Sequence, residues 1–348
     1  MDINTREISG KWQEYTLKND HGMTVSVLNY GGIITKIIVP DRNGKMENVV
    51  LGYKDYANYE TNPNFFGALI GPVAGRIQDA SFELTGKTYA LEANDGDNHL
   101  HGGSTGFHQV IWEVEPFETD RTVGLKLSHK RGNGEGGYPG NLDVQVTYTL
   151  NNANQLKLDY SAASDQTTAV TLTNHSYFNL SGDLKNTVHN HHVTMDSGKF
   201  VELDEELIPT GEWREVTGSS FDFRNGRPLH DGFHDDAEQN KNAGNGYDHY
   251  FMFDEEQEQN VIVRHSDSGR KLTVKTDQPG MVMYTSNTLE DGLELAEGLS
   301  EKHLGVCFET QASPASLHHE GFPSVMLEGG STYNKRTLFS FGVENEMK

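Results

Sequence analysis

The sequence predicts an all-β protein, a large antiparallel β-sandwich, and three features carry that expectation. Apolar residues recur at period two along much of the chain, the signature of strands with one buried face. Turn residues punctuate it at short intervals, and its 37 glycines in 348 residues exceed the roughly 7% of an average chain. Helical periodicity is scarce.

In chain order, alternation first marks strands at Thr24–Leu28 and Ile33–Val39. Asp41-Arg42-Asn43-Gly44-Lys45 follows as a turn between two strands, punctuated by Asn-Gly. Val123–Ser128 alternates again. The clearest unit is a hairpin: Leu142, Val144, Val146, Tyr148 and Leu150 face one way, and Leu156, Leu158, Tyr160 and Ala162 repeat the pattern after Asn151-Asn152-Ala153-Asn154. Ala169–Thr173 is strand-like, and Val261–His265 and Lys271–Thr276 close the series. Only Lys54–Tyr59 and Ala237–Asn242 are weakly helical, and both are too short to organise a domain. No repeat, linker or charge block divides the chain, so one domain over residues 1–348 is expected. The acidic cluster Asp254–Glu258 reads as a solvated loop.

The formal net charge of −23 disfavours nucleic acid and anionic membrane surfaces as partners. The opening MDINTREISG has no apolar targeting region, and no later run approaches a membrane span. One cysteine, Cys307, excludes an intrachain disulfide and fits a reducing compartment, so a cytoplasmic location is expected.

Polar clusters that carry possible chemistry are expected between the strands. Asn98-His99-Leu100-His101-Gly102-Gly103 sets two histidines beside a glycine pair, where backbone can approach a ligand. Asn174-His175-Ser176-Tyr177-Phe178-Asn179-Leu180, Tyr247-Asp248-His249-Tyr250-Phe251, Phe308-Glu309-Thr310-Gln311 and Arg76 in Gly71–Ile77 are the others. Singly, each has a structural reading: a hydrogen-bonded histidine, an Asp248 turn cap, a paired arginine. Glu309 is the strongest, because a carboxylate after an apolar run is costly to bury without a task or partner. His189, His191 and His192 look like metal ligands, but no carboxylate is placed with them. Phosphate-binding, dinucleotide and serine-hydrolase motifs are missing from the sequence.

Together these residues resemble the aldose 1-epimerase (galactose mutarotase) family across nearly the whole chain. The resemblance runs from Asn29-Tyr30-Gly31-Gly32 and Val39–Lys45 through Val49–Gly52, Phe66-Gly67-Ala68, Arg76-Ile77, Leu100–Gly103 and Gly137–Gly140. It continues through Asn174–Leu180, Tyr247-Asp248-His249, Gln278-Pro279-Gly280 and Glu309-Thr310-Gln311. It implies the family's β-supersandwich, with Glu309 as general base and His175 as general acid. It further implies that Arg76, His101 and Asp248 hold sugar hydroxyls, with His101 also assisting at the ring oxygen. The implied reaction interconverts the α and β anomers of a free hexose, galactose or glucose, without metal or organic cofactor, in a monomer or homodimer. Asp248 is one expected source of negative charge for the His175 imidazolium. Tyr177, Phe178 and Tyr250 are possible sugar-stacking rings, with core packing the commoner role for each.

Two departures from the family pattern bear on substrate choice. Pro72 and Gly75 stand where a basic residue and an asparagine are common, and Val282 stands where a glutamine is common. A maltose epimerase would share all five site residues. A noncatalytic sugar-binding module would lose Glu309 or His175, a hexose-phosphate epimerase would add basic residues, and a glycosidase would want two carboxylates.

Overall fold

The computed structural model describes residues 1–254 and 260–344, which leaves most of the acidic cluster Asp254–Glu258 outside the described residues. Three antiparallel sheets dominate it. A five-stranded sheet runs in chain order through Asp2–Ile8, Trp12–Lys18, Thr24–Leu28, Ile34–Pro40 and Met46–Asn48. A nine-stranded sheet contains Glu113–Glu118, Thr122–Arg131, Leu142–Asn151, Gln155–Ser164, Thr332–Val343, Arg270–Thr276, Val261–His265, His191–Met195 and Arg227–Pro228, in that spatial order. A six-stranded sheet is ordered Tyr177–Phe178, Val306–Gln311, Gly280–Tyr284, Asp248–Met252, Lys199–Leu203 and Pro209–Glu215.

The hairpin forms as its alternation requires. Leu150 pairs with Leu156 across a turn in which Asn151 Oδ1 accepts from the Ala153 and Gln155 N–H groups. Its alternate residues enter one large core that also takes Val25 and Val27 from the first sheet and Phe251, Met281, Met283 and Phe308 from the third. All three sheets therefore bury a face together, which is why period two is so persistent in the sequence. The predicted Asp41–Lys45 turn is also present, with Asp41 Oδ1 accepting from the N–H groups of Asn43 and Lys45.

Some expectations need correction. Lys54–Tyr59 is a 3₁₀ turn over Tyr56–Glu60, and Ala237–Asn242 is a five-residue α-helix over Glu238–Asn242. A short helix at His230–Phe233 has no clear signal in the sequence. Ala169–Thr173 is not one strand: Thr168–Ala169 pairs with Met326–Leu327 and Thr173–Asn174 with Leu69–Ile70, as the chain crosses between neighbours.

One buried ion cluster ties the first sheet to the second. Arg270 Nη2 donates to Glu47 Oε2 at 2.8 Å with both side chains almost fully buried. Burial pushes the Glu47 carboxyl up, but bonds from Lys185, Lys45 and Arg270 outweigh it and hold it at about 2. Glu47→Ala, which leaves the Arg270 guanidinium buried without its carboxylate, is expected to cost about 3–5 kcal/mol, read from urea denaturation midpoints. Because the folded pKa is depressed, the carboxylate's contribution is present above about pH 4.3 and is lost as pH falls toward 2. A loss under about 1 kcal/mol would contradict this role.

Candidate active site

The outer face of the six-stranded sheet forms the floor of a cavity of about 460 Å³. Register explains which residues lie there. Asp248 pairs with Tyr284, Tyr284 with Cys307, and Cys307 with Tyr177; on the next rung Tyr250 pairs with Val282 and Val282 with Glu309. Residues on a shared rung and two apart along a strand point to the same face. This face therefore carries Asp248, Tyr250, Val282, Tyr284, Glu309 and Gln311, all of which line the cavity. Phe251, Met281, Met283 and Phe308 take the opposite face into the core. The expectation that the polar clusters lie between strands thus fails for Glu309 and Asp248. Both are strand residues whose side chains line the cavity.

His175 arrives from a crossing segment. Its N–H donates to the Ala68 carbonyl and its carbonyl accepts from Gly67 N–H. Asn174 fastens this corner, donating from Nδ2 to the Gly67 carbonyl and accepting the Ser176 hydroxyl at Oδ1. Asn179 does the same further on, bridging the carbonyls of Asn186 and Leu304. The two asparagines of the Asn-His-Ser-Tyr-Phe-Asn motif are structural fasteners, and the histidine between them faces the cavity.

Arg76 stands in a two-residue ladder opposite Leu100, and His101 follows Leu100 directly. The chain turns directly afterwards with His101 at φ 54° and Gly102 at φ 86°. A Cβ on Gly102 would lie 2.2 Å from the Gly71 carbonyl oxygen, so this tight turn requires glycine. Gly75 donates its N–H to His101 Nδ1 at 3.1 Å. That bond makes Nδ1 an acceptor, so the neutral ring carries its proton on Nε2 as a donor.

The structure brings all five predicted residues, Arg76, His101, His175, Asp248 and Glu309, to this one cavity. His175 Nε2 is 3.4 Å from Glu309 Oε1, and the His101 and His175 rings meet edge-on at 5.3 Å. Arg76 Nε donates to Asp95 at 2.7 Å, and its Nη1 is 3.6 Å from Asp248 Oδ2. Burial is the largest influence on each titratable group. It pushes Glu309 well up, reinforced by Asp248 and opposed by Arg76, and it pushes His175 down to about 3. His101 is also held down, and Asp248 is raised to about 6 despite Arg76. Burial therefore favours the neutral form of both Glu309 and His175. The carboxylate that faces His175 is Glu309. Asp248, expected as a counter-charge for the imidazolium, is engaged with Arg76 instead.

Other placements refine the picture. Tyr177 and Tyr250 line the cavity, whereas Phe178 is in the core. Phe65, Asn64, Asp95 and Tyr284 also line it and escaped the sequence reading, and Gln311, named there only as part of the Glu309 motif, lines it too. Asp95 sits in Asn94-Asp95-Gly96-Asp97, which reads only as a turn. Gln311, two residues beyond Glu309, had a usable signal in strand periodicity. Of the departures, Val282 lies beside Glu309 in the floor and Gly75 in the wall, while Pro72 is not among the lining residues.

Among the described residues, His101, His175 and Glu309 form the one group whose ligand atoms lie within metal-binding reach, all within 4.8 Å of one another. His101 fits a metal poorly, since ligation through Nε2 would displace its proton and break the Gly75 bond. The His189, His191 and His192 cluster does not converge. His191 Nε2 accepts from Leu180 N–H at 2.7 Å, His189 Nδ1 bonds the Thr187 hydroxyl, and His192 is exposed. No helix among the described residues is long and apolar enough to cross a membrane.

A β-sandwich whose cavity buries a histidine beside a carboxyl group defines a class, and comparison with known proteins gives the family. The family model described as aldose 1-epimerase matches residues 13–340. The chain belongs to the aldose 1-epimerase family, whose members are isomerases. It is similar to the galactose mutarotase of Sus scrofa, 40% identical over 96% of this chain and 95% of that protein. It is also similar to the maltose epimerase of Levilactobacillus brevis, 32% identical over 93% of this chain and 92% of that one. Among solved structures, the galactose 1-epimerase of Lactobacillus acidophilus superposes with a TM-score of 0.88 at 28% identity, covering 99% of both chains.

Proposed function

We propose that this chain interconverts the α and β anomers of a free hexose, galactose or glucose, with Glu309 as base and His175 as acid. The observation that carries the reading is the 3.4 Å approach of His175 Nε2 to Glu309 Oε1 on the floor of a sugar-sized cavity.

The chemistry needs one proton removed and one supplied. Binding of the sugar is coupled to transfer of the pair's single proton from Glu309 to His175, which gives a carboxylate beside an imidazolium. The carboxylate then takes the C1 hydroxyl proton while Nε2–H protonates the ring oxygen. The C1–O5 bond breaks and C1 becomes an aldehyde. Rotation about C1–C2 presents the other carbonyl face to O5, and closure returns each proton by the reverse path. Proton inventory is conserved at every stage. Each group typically contributes about 10²–10⁴-fold, so together they supply about 10⁴–10⁸-fold.

His101 offers an Nε2–H donor toward a hydroxyl or the ring oxygen, and Arg76 donates while ionised Asp248 accepts. Tyr177 and Tyr250 offer ring faces to the sugar. We also propose a cytoplasmic location, on the strength of a single buried thiol.

The test is polarimetry of freshly dissolved α-D-galactose and α-D-glucose with catalytic amounts of protein. Faster approach to an unchanged final rotation is expected. Maltose, run alongside, tells a disaccharide preference apart, and no acceleration with any of the three sugars would overturn the reading.

A further inference from the structure

Cys307 is buried two residues before Glu309 on the same strand face, and it is not among the residues lining the cavity. It lies beneath the acid–base pair, flanked on its rung by Tyr177 and Tyr284. Its Sγ is 3.5 Å from His175 Nδ1, while the other ring nitrogen, Nε2, faces Glu309. The imidazole is thus spanned edge to edge by a sulfur and a carboxyl. Phe65 and Tyr177 pack against it at centroid distances of 5.7 and 5.1 Å.

We propose that Cys307 is a positioning residue for the acid–base step: its sulfur accepts the Nδ1–H of His175, aims Nε2 at the sugar and Glu309, and leaves the imidazolium a strong proton donor. The inference rests on the epimerase reading of this cavity. A histidine backed by a carboxylate is oriented but also made more basic, because that partner stabilises the charged ring. Sulfur is a weak acceptor, so it fixes the ring with little of that stabilisation.

The surroundings agree. Burial keeps the Cys307 thiol protonated, assisted by Glu309 and Asp248, so no thiolate charge backs the ring. The other titratable groups near His175 are Glu309, His101, Tyr177 and Tyr284, with His108 and Arg76 acting through their charge. Both tyrosines are held neutral by burial, while His108 and Arg76 disfavour the imidazolium. Only the ring's bond to its own backbone carbonyl works in its favour.

The full chain and its Cys307→Ser and Cys307→Ala variants, labelled with ¹⁵N-histidine, distinguish this from mere packing. A hydroxyl oxygen accepts better than sulfur. Cys307→Ser should therefore move the His175 NMR midpoint, and the acid limb of kcat/KM with it, upward by about half to one pH unit at little change in KM. Cys307→Ala should lose the Nδ1–H tautomer preference and lower kcat about tenfold, again at constant KM. Circular dichroism melts confirm that each variant is folded. Folded variants with an unchanged His175 midpoint, tautomer and kcat would overturn the proposal. A parent inactive on every sugar overturns the epimerase reading instead, and the contact then stands or falls on the NMR midpoint alone.

Discussion

Glu309→Gln is expected to lower kcat by about 10²–10⁴-fold while leaving the protein folded and sugar binding nearly intact. The amide keeps the shape and one acceptor oxygen of the carboxyl but cannot take the C1 hydroxyl proton. Arg76, His101 and Asp248, the proposed partners of the hydroxyls, remain in place, so the loss should appear in kcat and not in KM. Stability should move the other way. Burial raises the Glu309 carboxyl in the folded state, so its cost is absent below about pH 4.3, grows above it and levels off once the pH passes the shifted value. Glutamine carries no such penalty, so the variant should melt at or above the parent temperature, with a larger gap at neutral pH than below about pH 4.3. Calorimetry at two pH values and steady-state polarimetry check both halves.

His175→Asn is expected to be comparably damaging, about 10²–10⁴-fold in kcat, because the amide can donate a hydrogen bond but cannot deliver a proton. The two substitutions should not add. Once either partner is gone the concerted exchange is lost, so the double variant should be little worse than the poorer single one. The parent's pH profile should be bell-shaped. Activity needs the singly protonated pair, so it should fall at low pH as His175 gains a second proton, near 3 in the free protein. It should fall again at high pH as the pair loses its last proton at the raised Glu309 value. Both limbs belong to the pair and not to either residue alone. Either limb surviving unchanged in His175→Asn would contradict the assignment.

The sequence carries the long strands plainly and the short ones hardly at all. Leu142–Asn151 and Gln155–Ser164 each span ten residues of alternation, enough for period two to assert itself. Arg76–Ile77 and His99–Leu100 are two residues long and have no period to detect, yet their pairing sets Arg76 beside His101. The five site residues were legible because they stand in motifs whose order resembles a family. Their convergence, by contrast, depends on rungs between strands distant in sequence, such as Val282 against Glu309. Asp95 and Phe65 were illegible for another reason. One sits in a polar turn and the other beside Asn62-Pro63-Asn64, and nothing local says that either faces a cavity. The effect of burial on the pair is not legible in the sequence either, since a carboxylate and an imidazolium are the ordinary states in water and only the surrounding fold disfavours both.

The central claim is that Glu309 and His175 open and reclose a hexose ring by proton exchange, and anomer exchange at equilibrium tests it most directly. Proton exchange spectroscopy on equilibrated D-galactose reports the α-to-β rate without any net reaction, here measured with and without a chelator. The expected result is exchange far above background with the parent chain, unaffected by the chelator, and background exchange with Glu309→Gln. Exchange by a folded Glu309→Gln variant at the parent rate, or parent exchange abolished by the chelator, would contradict the account.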